Sequence, residues 1–136
     1  MQADALAALH EAAFGDPRAH GWGREEFARA LSDPLYVVQQ SEDAYALARV
    51  LADSAELILI ATRPNARRRG AARAALHALE AALLAKGATT LFAEVESTNT
   101  AALALYGSEG FSETGLRRGY YGPERDAITL EKPLKS

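Results

Sequence analysis

The sequence predicts an α/β or α+β sandwich, in which helices pack against a partly antiparallel sheet. Three observations lead to this prediction. Short apolar runs typical of strands occur throughout residues 35–131, and segments with helical apolar spacing lie before and between them. A basic segment with one glycine, residues 67–72, joins the end of one apolar run to the start of a helical segment. A strand, a basic loop and a helix in this order indicate an enzyme that uses a cofactor.

Four helices are predicted from apolar spacing and from the residues at their ends. Two short ones lie at residues 3–13 and 23–31, where apolar side chains recur every three or four positions. A longer one follows the basic loop and ends at Lys86-Gly87, a cation and a glycine typical of a helix C-terminus. The fourth lies at residues 100–106, after polar side chains that can cap its first turn.

The predicted strands are short runs rich in branched apolar or aromatic residues. Polar residues 41–43 separate the first two runs and predict an antiparallel hairpin. A turn at residues 119–123 is predicted between the last two. The six strands are expected at residues 35–40, 44–51, 56–62, 89–96, 111–116 and 126–131.

Composition limits the class of protein. A chain of 136 residues with 49% hydrophobic and 24% charged residues is expected to form one domain over residues 1–136. The absence of cysteine excludes disulfides, zinc–thiolate sites and a thiol nucleophile. The chain has no apolar stretch of membrane-spanning length, and residues 1–12 do not resemble a signal peptide, so we expect a cytoplasmic protein without membrane contact. Its net charge of −3 argues against direct nucleic-acid binding.

The basic loop is a candidate phosphate site. Gly70 permits close approach of the backbone to a ligand, and the free amides of a helix N-terminus bind anions. A Walker loop is excluded because no Lys and Ser/Thr pair follows Gly70, and a Rossmann fingerprint is poorly matched because the glycines are too few. An arginine-flanked pyrophosphate loop remains, with a solvated basic turn as the alternative.

Several segments in the second half resemble one known superfamily. Arg67, Gly70 and Ala72 satisfy the pattern Q/R-x-x-G-x-G/A. Residues 91–99 are similar to "LEVR.SN", and the later segments RRGYY and DA resemble "R..YY" and "DA". In this order the segments resemble the GCN5-related N-acetyltransferase (GNAT) superfamily, and within it the ribosomal-protein-alanine N-acetyltransferases of the RimI type.

The resemblance implies a fold and a cofactor. The GNAT fold has a mixed, mostly antiparallel, twisted central sheet of six to seven strands flanked by about four helices. Acetyl-CoA is the implied co-substrate, with no metal. Strand residues would hold the pantetheine arm, the basic loop would hold the pyrophosphate, and one asparagine would also contact the cofactor. The implied cofactor-binding residues are Ile60, Ala61, Thr62, Arg67, Arg68, Arg69, Gly70, Ala71, Ala72, Arg73 and Asn99.

The resemblance also implies two catalytic side chains. Glu94 would accept the proton of the attacking amine, and Tyr106 would donate one to the leaving thiolate. Glu96 shares the strand face of Glu94 and is the competing base. As alternatives, Glu94 is a surface glutamate paired with an arginine, Tyr106 a core aromatic, and Asn99 only a helix cap.

The implied acceptor is the N-terminal α-amine of a protein, with an N-terminal alanine of a small-subunit ribosomal protein as the specific expectation. Substrate contacts are expected from Trp22, Glu96, Tyr120 and Tyr121. Ser54 and Glu96 depart from the RimI-type pattern, which often has an acid at the first position and an arginine at the second. These departures leave the exact peptide open.

Two other functions remain open from the sequence. One is acetyl transfer to a small amine, a lysine side chain or an aminoacyl-tRNA, and the other is a silent CoA-binding module. The three histidines lack metal-ligand spacing. We expect a monomer or weak dimer whose partners are acetyl-CoA and a protein or peptide N-terminus.

Overall fold

The computed structural model describes residues 2–67 and 70–135, which form one six-stranded sheet with helices on both of its faces. The helices are α1 (Gln2–Phe14), α2 (Arg24–Ser32), α3 (Ala71–Ala85) and α4 (Thr100–Ser108). The strands are β1 (Tyr36–Gln40), β2 (Ala44–Leu51), β3 (Ser54–Thr62), β4 (Thr90–Glu96), β5 (Ser112–Gly122) and β6 (Arg125–Pro133). Short 3₁₀ turns at Ala19–Gly21 and Pro64–Ala66 were not predicted.

The strand order is β1-β2-β3-β4-β6-β5. Every neighbouring pair is antiparallel except β3 and β4, which are parallel because α3 crosses over between them. The prediction of a mixed, mostly antiparallel sheet with six strands and four α-helices is therefore confirmed.

Each face of the sheet is covered by a separate apolar cluster. One cluster packs α3 and α4 against the sheet, with Leu76, Leu79 and Leu91 fully buried. The other packs α1 and α2 mainly against β2 and β3, around Phe27 and Tyr45. The second cluster does not extend over β4, β6 and β5, so the face of these strands opposite α3 is largely uncovered.

A bulge in β3 changes which residues face each cluster. Leu47 of β2 pairs with Leu59, but the next residue, Ala48, pairs with Leu57, so Ile58 is an extra residue in β3. Before the bulge Leu57 packs towards α3, and after it Leu59 packs towards α1 and α2.

The only buried polar side chain among the described core residues is His10 of α1. Its Nε2 lies 2.7 Å from the carbonyl oxygen of Ala19, which can only accept, so Nε2 carries the hydrogen. Its Nδ1 therefore accepts from the Tyr45 hydroxyl at 2.6 Å. Burial lowers the pKa of His10, in agreement with this neutral state. His10 is thus a core histidine whose two ring nitrogens both have hydrogen-bond partners.

The last hairpin differs from its predicted extent. The strands were expected at residues 111–116 and 126–131 around a turn at 119–123, but β5 extends to Gly122 and only Pro123 and Glu124 lie between the strands. Residues 118–121 bulge out of β5 opposite the single residue Asp126. Their sequence, RGYY, contains a glycine and lacks the alternation of a regular strand, which is why the pattern looked like a turn.

Within residues 2–67 and 70–135, no helix combines the length and the apolar character that are needed to cross a membrane.

Candidate active site

A cleft opens where β3 and β4 separate. The two strands pair only over residues 54–56 and 90–92, and beyond Glu56 and Phe92 they form no further pairs in the described chain. A cavity of about 830 Å³ lies beside the separated end. It is lined by the end of β3, the basic loop, the first turn of α3, one side of α4 and the C-terminus of α1. The separation of the two strands therefore opens a concave site whose volume suits a small-molecule ligand.

The end of β3 offers its free edge to this cleft. Ile60, Ala61 and Thr62 pair with β2 on one side and line the cavity on the other. Backbone groups of β3 that point away from β2 have no strand partner here, so they are available to an extended ligand. This is where the sequence predicted contacts to the pantetheine arm.

The loop after β3 leads into a helix N-terminus that faces the same cavity. Gly70 has φ +79°, a left-handed conformation that glycine adopts without steric cost, and it precedes the first residue of α3. The amide of Ala74 donates to the Gly70 carbonyl at 2.9 Å, so the amides of Ala71, Ala72 and Arg73 precede the helical hydrogen-bond ladder. Their N–H groups and the positive end of the helix dipole suit an anion. The predicted Arg68 and Arg69 lie outside the described residues.

Two arginines stand in the cavity wall with partners that the sequence did not reveal. Arg67 Nη2 donates to the carbonyl oxygen of Ala13 at the end of α1, 2.7 Å away. Arg73 Nε donates to Glu109 Oε2 at 2.7 Å. Glu109 also contacts His77, and the hydrogen bond from His77, followed by the one from Arg73, lowers the pKa of its carboxyl group. These contacts tie the loop to α1 and the start of α3 to the end of α4.

The location of Asn99 bears on both roles that the sequence left open, the helix cap and the cofactor contact. Its side-chain oxygen accepts from the Ala102 amide at 3.1 Å and so caps the N-terminus of α4. The same residue lines the cavity, as does the end of β3. A capping role and a cofactor contact are therefore compatible.

Glu94 and Glu96 point from β4 to the uncovered face of the sheet, and each has an arginine partner from the β5–β6 hairpin. Glu94 Oε1 lies 3.4 Å from Arg117 Nη1. Glu96 accepts hydrogen bonds from Arg125 at 2.7 and 3.2 Å, and from the Thr98 hydroxyl at 2.9 Å. The hydrogen bond from Arg125 and then that from Thr98 lower the pKa of Glu96. Glu96 is thereby a poorer proton acceptor than an ordinary glutamate.

Tyr106 lies on α4, immediately after the cavity-lining Leu105. Its ring packs on Phe111 with a centroid distance of 5.1 Å, and the residue is 5% exposed. Burial raises the pKa of Tyr106 to about 12, and Tyr121 contributes to the rise. The hydroxyl therefore keeps its proton throughout the physiological pH range, as a proton donor must.

Tyr121 connects the two predicted catalytic groups. Burial raises the pKa of its hydroxyl, and the negative charge of Glu94 adds to the increase. Contacts also link Glu94 to this part of the hairpin, because its partner Arg117 stacks on Tyr120, which packs against Tyr121. Neither Glu94 nor Tyr106 lines the cavity itself, although Tyr106 directly follows the lining residue Leu105 in α4.

The remaining predicted substrate residues lie in two places. Tyr120 is 53% exposed and packs edge-on against Tyr121, with Arg117 stacked 5.1 Å from its ring centroid. Trp22 instead packs against Phe27 in the cluster under α1 and α2. The structure thus brings Tyr120, Tyr121, Glu94 and Glu96 together, and leaves Trp22 apart from them.

Within the described ranges, no three His, Asp or Glu side chains converge in the manner of a metal site.

Comparison with known proteins assigns this architecture to a family. The sequence profile of the acetyltransferase (GNAT) family matches residues 3–111, most of the chain. The chain belongs to the GNAT acetyltransferase family. The resemblance found in the sequence is confirmed, and the chain is an acyltransferase of the class that uses acetyl-CoA.

Its relatives include two curated bacterial enzymes. The [ribosomal protein bS18]-alanine N-acetyltransferase of Salmonella typhimurium is 42% identical over 128 residues, and that of Escherichia coli K12 is 36% identical over the same length. Each alignment covers 88% of this chain and 86% of the relative. The crystal structure of the Escherichia coli ribosomal-protein-S18-alanine N-acetyltransferase superposes with a TM-score of 0.80 at 34% identity, covering 100% of this chain and 91% of that one.

The described residues fit the chemical parts of coenzyme A. An extended arm with amide groups matches the free edge of β3, and a diphosphate matches the helix N-terminus after Gly70. One cavity is therefore lined both by a free strand edge and by a helix N-terminus, as a ligand with an amide arm and a diphosphate requires.

We predict that Gly70→Ala weakens the binding of coenzyme A. An added Cβ meets nothing within 4 Å, so the cost is the left-handed backbone alone, about 1 to 2 kcal/mol. A change of backbone angle at residue 70 relieves this strain but moves the amides at the start of α3 away from the phosphate. The affinity for coenzyme A, measured by calorimetry, should therefore fall roughly five- to thirtyfold.

Gly87→Ala is the matched control. Gly87 has φ +91° and the same open surroundings, but it lies beyond the opposite end of α3. Both variants should lose similar stability in urea unfolding, and only Gly70→Ala should lose affinity. Equal affinities for the two variants would contradict a phosphate site at Gly70.

Proposed function

We propose that this protein transfers the acetyl group of acetyl-CoA to the N-terminal α-amine of a protein, and that its acceptor is the N-terminal alanine of ribosomal protein bS18. One observation carries the proposal. The cavity that suits coenzyme A is lined by Leu105 of α4, and Tyr106 follows it in the same helix, so a thioester at this wall of the cavity has a proton donor in the next residue. The acceptor rests on the similarity, over 88% of the chain, to enzymes named for bS18 alanine.

In this proposal the cofactor contacts are those that the sequence predicted. The free edge at Ile60, Ala61 and Thr62 holds the pantetheine arm, and residues 67–73 hold the pyrophosphate, including Arg68 and Arg69. Asn99 contacts the arm from the opposite wall while it caps α4. Acetyl-CoA supplies the activated acetyl group as a thioester.

Glu94 is the proposed proton acceptor. An α-amine has a pKa of about 7.7 to 8.0, so much of it carries an extra proton at neutral pH and must lose that proton before attack. Glu94 has one arginine partner at 3.4 Å, whereas the three hydrogen bonds to Glu96 favour its ionised form and weaken it as a base. This difference favours Glu94 over Glu96, a choice that the sequence left open.

Tyr106 is the proposed proton donor. As the amine nitrogen bonds to the acetyl carbon, the carbon–sulfur bond breaks and the sulfur leaves as a thiolate, which takes the phenolic proton. Burial raises the pKa of Tyr106, so its hydroxyl is protonated when the thiolate forms. The ring contact with Phe111 holds the phenol in position.

The uncovered face of β4, β6 and β5 is the proposed acceptor side, with Tyr120 and Tyr121 at its edge. Glu96 lies on the same face. Trp22 packs instead in the apolar cluster under α1 and α2. Both glutamates already have arginine partners, so charge attraction of a basic peptide contributes little here. The proposed acceptor therefore rests on the similarity to the named enzymes.

The proposal extends to the protein as a whole. We propose that residues 1–136 act as one domain, as a monomer or weak dimer, in the cytoplasm where ribosomal proteins are assembled. No contact with nucleic acid or membrane is required for this chemistry.

The test of the function is an acceptor screen with purified protein. We predict that free thiol is released from acetyl-CoA when a peptide with the N-terminal sequence of bS18 is added, and that mass spectrometry finds one acetyl group on its N-terminal alanine. The same peptide with a blocked α-amine is the control. Acetyl transfer to polyamines or to lysine side chains, but not to this peptide, would contradict the proposed acceptor. Binding of acetyl-CoA without release of thiol would indicate a silent CoA-binding module.

We predict that Glu94→Gln lowers kcat/KM at pH 7 by roughly 10²- to 10⁴-fold, the usual contribution of a general base. As the pH rises past the amine pKa of about 8, the amine loses its proton to water, so the deficit should shrink. Steady-state kinetics between pH 6.5 and 9.5, roughly spanning that pKa, give the profile.

Two further variants complete this experiment. Glu113→Gln is the matched control, because this exposed strand glutamate pairs with Leu130, which packs towards α3, and so lies on the face opposite Glu94. Tyr106→Phe should lose turnover at every pH with little loss of coenzyme A affinity. A pH-independent deficit in Glu94→Gln would contradict its role as proton acceptor.

A further inference from the structure

The tip of the β5–β6 hairpin contains an irregularity that serves no purpose in sheet pairing. Arg117 pairs with Ala127 and Gly122 pairs with Arg125, so four residues of β5 stand opposite one residue of β6. We call residues 118–121 the tyrosine bulge. It carries Tyr120 and Tyr121, whose rings meet edge-on at a centroid distance of 5.2 Å.

Asp126 of β6 holds the tyrosine bulge through a side-chain hydrogen bond to its backbone. Gly119 adopts φ +64°, and its amide donates to Asp126 Oδ1 at 2.8 Å, which replaces the strand pairing that the bulge has lost. The carbonyl oxygen of Asp126 accepts from the Ser97 amide at 2.9 Å, which joins the same residue to the end of β4. The bulge is therefore anchored to the strand that carries Glu94.

Side-chain contacts hold the tyrosine bulge at both of its ends. At its start, Arg117 contacts Glu94 and stacks on Tyr120. Beyond its other end, Arg125 donates through Nε and Nη2 to Glu96 Oε1, while Thr98 donates to Glu96 Oε2. Both oxygens of Glu96 are occupied by these partners, and the contact joins the last residue of β4 to the hairpin.

We propose that Glu96 and Arg125 form a latch that fixes the tyrosine bulge against the end of β4, so that Glu96 is a positioning residue for Tyr121. The idea rests on the proposed function for its kinetic consequence, but the latch itself is a structural claim. It explains a departure from the family pattern, because the glutamate stands where RimI-type chains usually carry an arginine, and this chain supplies the arginine from β6 instead.

Stability does not account for this ion pair. The Arg125 side chain is 56% exposed, and exposed ion pairs contribute about 0 to 1 kcal/mol to folding. Orientation is a better account, because a shift of about 1 Å in a group beside the reacting atoms can cost roughly 10²-fold in rate. Breaking the latch should therefore leave the fold intact and misplace Tyr121.

The experiment compares Glu96→Gln, Arg125→Gln and the charge-swapped double variant Glu96→Arg/Arg125→Glu. Arg24→Gln is the control, because it breaks an exposed ion pair with Asp4 between α1 and α2, far from the hairpin. We expect each single variant to lower kcat/KM for the peptide roughly ten- to hundredfold, with coenzyme A affinity unchanged. The charge swap should recover part of the loss.

A second readout does not need activity. In protein labelled with ¹³C-tyrosine, the Tyr121 resonance, assigned from Tyr121→Phe, should shift in both single variants, because its surroundings change when the bulge moves, and return in the double variant. If the wild-type protein transfers no acetyl group, the proposed function fails and this spectrum still decides the latch.

Three results would overturn the latch. The first is an unchanged Tyr121 resonance in both single variants. The second is unchanged kinetics in both while the wild type is active. The third is a large loss of rate in Glu96→Gln with none in Arg125→Gln, which would make Glu96 the proton acceptor.

Discussion

The site depends on one constraint, the early end of the pairing between β3 and β4. Parallel strands in a sheet normally satisfy each other along their length, but here pairing stops at Glu56 and Phe92. From that point β3 keeps its partner only on the β2 side, and β4 keeps its partner only on the β6 side. The unpaired β3 edge needs hydrogen-bond partners from elsewhere, and an extended ligand with amide groups is of the right chemistry to provide them. The cavity, the basic loop and the cap of α4 all surround this opening.

In the proposed mechanism, the same opening lets groups on opposite faces of the sheet act together. Tyr106 belongs to the cluster under α3 and α4, whereas Glu94 points to the uncovered face. A continuous sheet would separate them. Glu94 is connected to the β5–β6 hairpin through Arg117, which stacks on Tyr120 next to Tyr121. The hairpin that carries Tyr121 is consequently as important to the site as the strands that form the gap.

The sequence predicted the elements well because each has a local signal. Apolar spacing located the helices, and the polar turn at residues 41–43 located the first hairpin. Gly70 identified the helix N-terminus because few other residues fit its backbone angle. The tyrosine bulge was read as a turn, since only the partner strand shows that four residues stand opposite Asp126. Glu109 and Arg125 were missed because their roles come from partners distant in sequence, Arg73 and Glu96.

Amide hydrogen exchange with and without coenzyme A tests the central claim most directly. If the unpaired edge of β3 receives the cofactor, binding should slow exchange at those amides of residues 60–62 that point away from β2. It should also slow exchange at the first amides of α3, and leave α2 and β1 unchanged. Tight binding without protection at β3 would mean that the ligand lies elsewhere, and the separation of the two strands would then have no part in the chemistry.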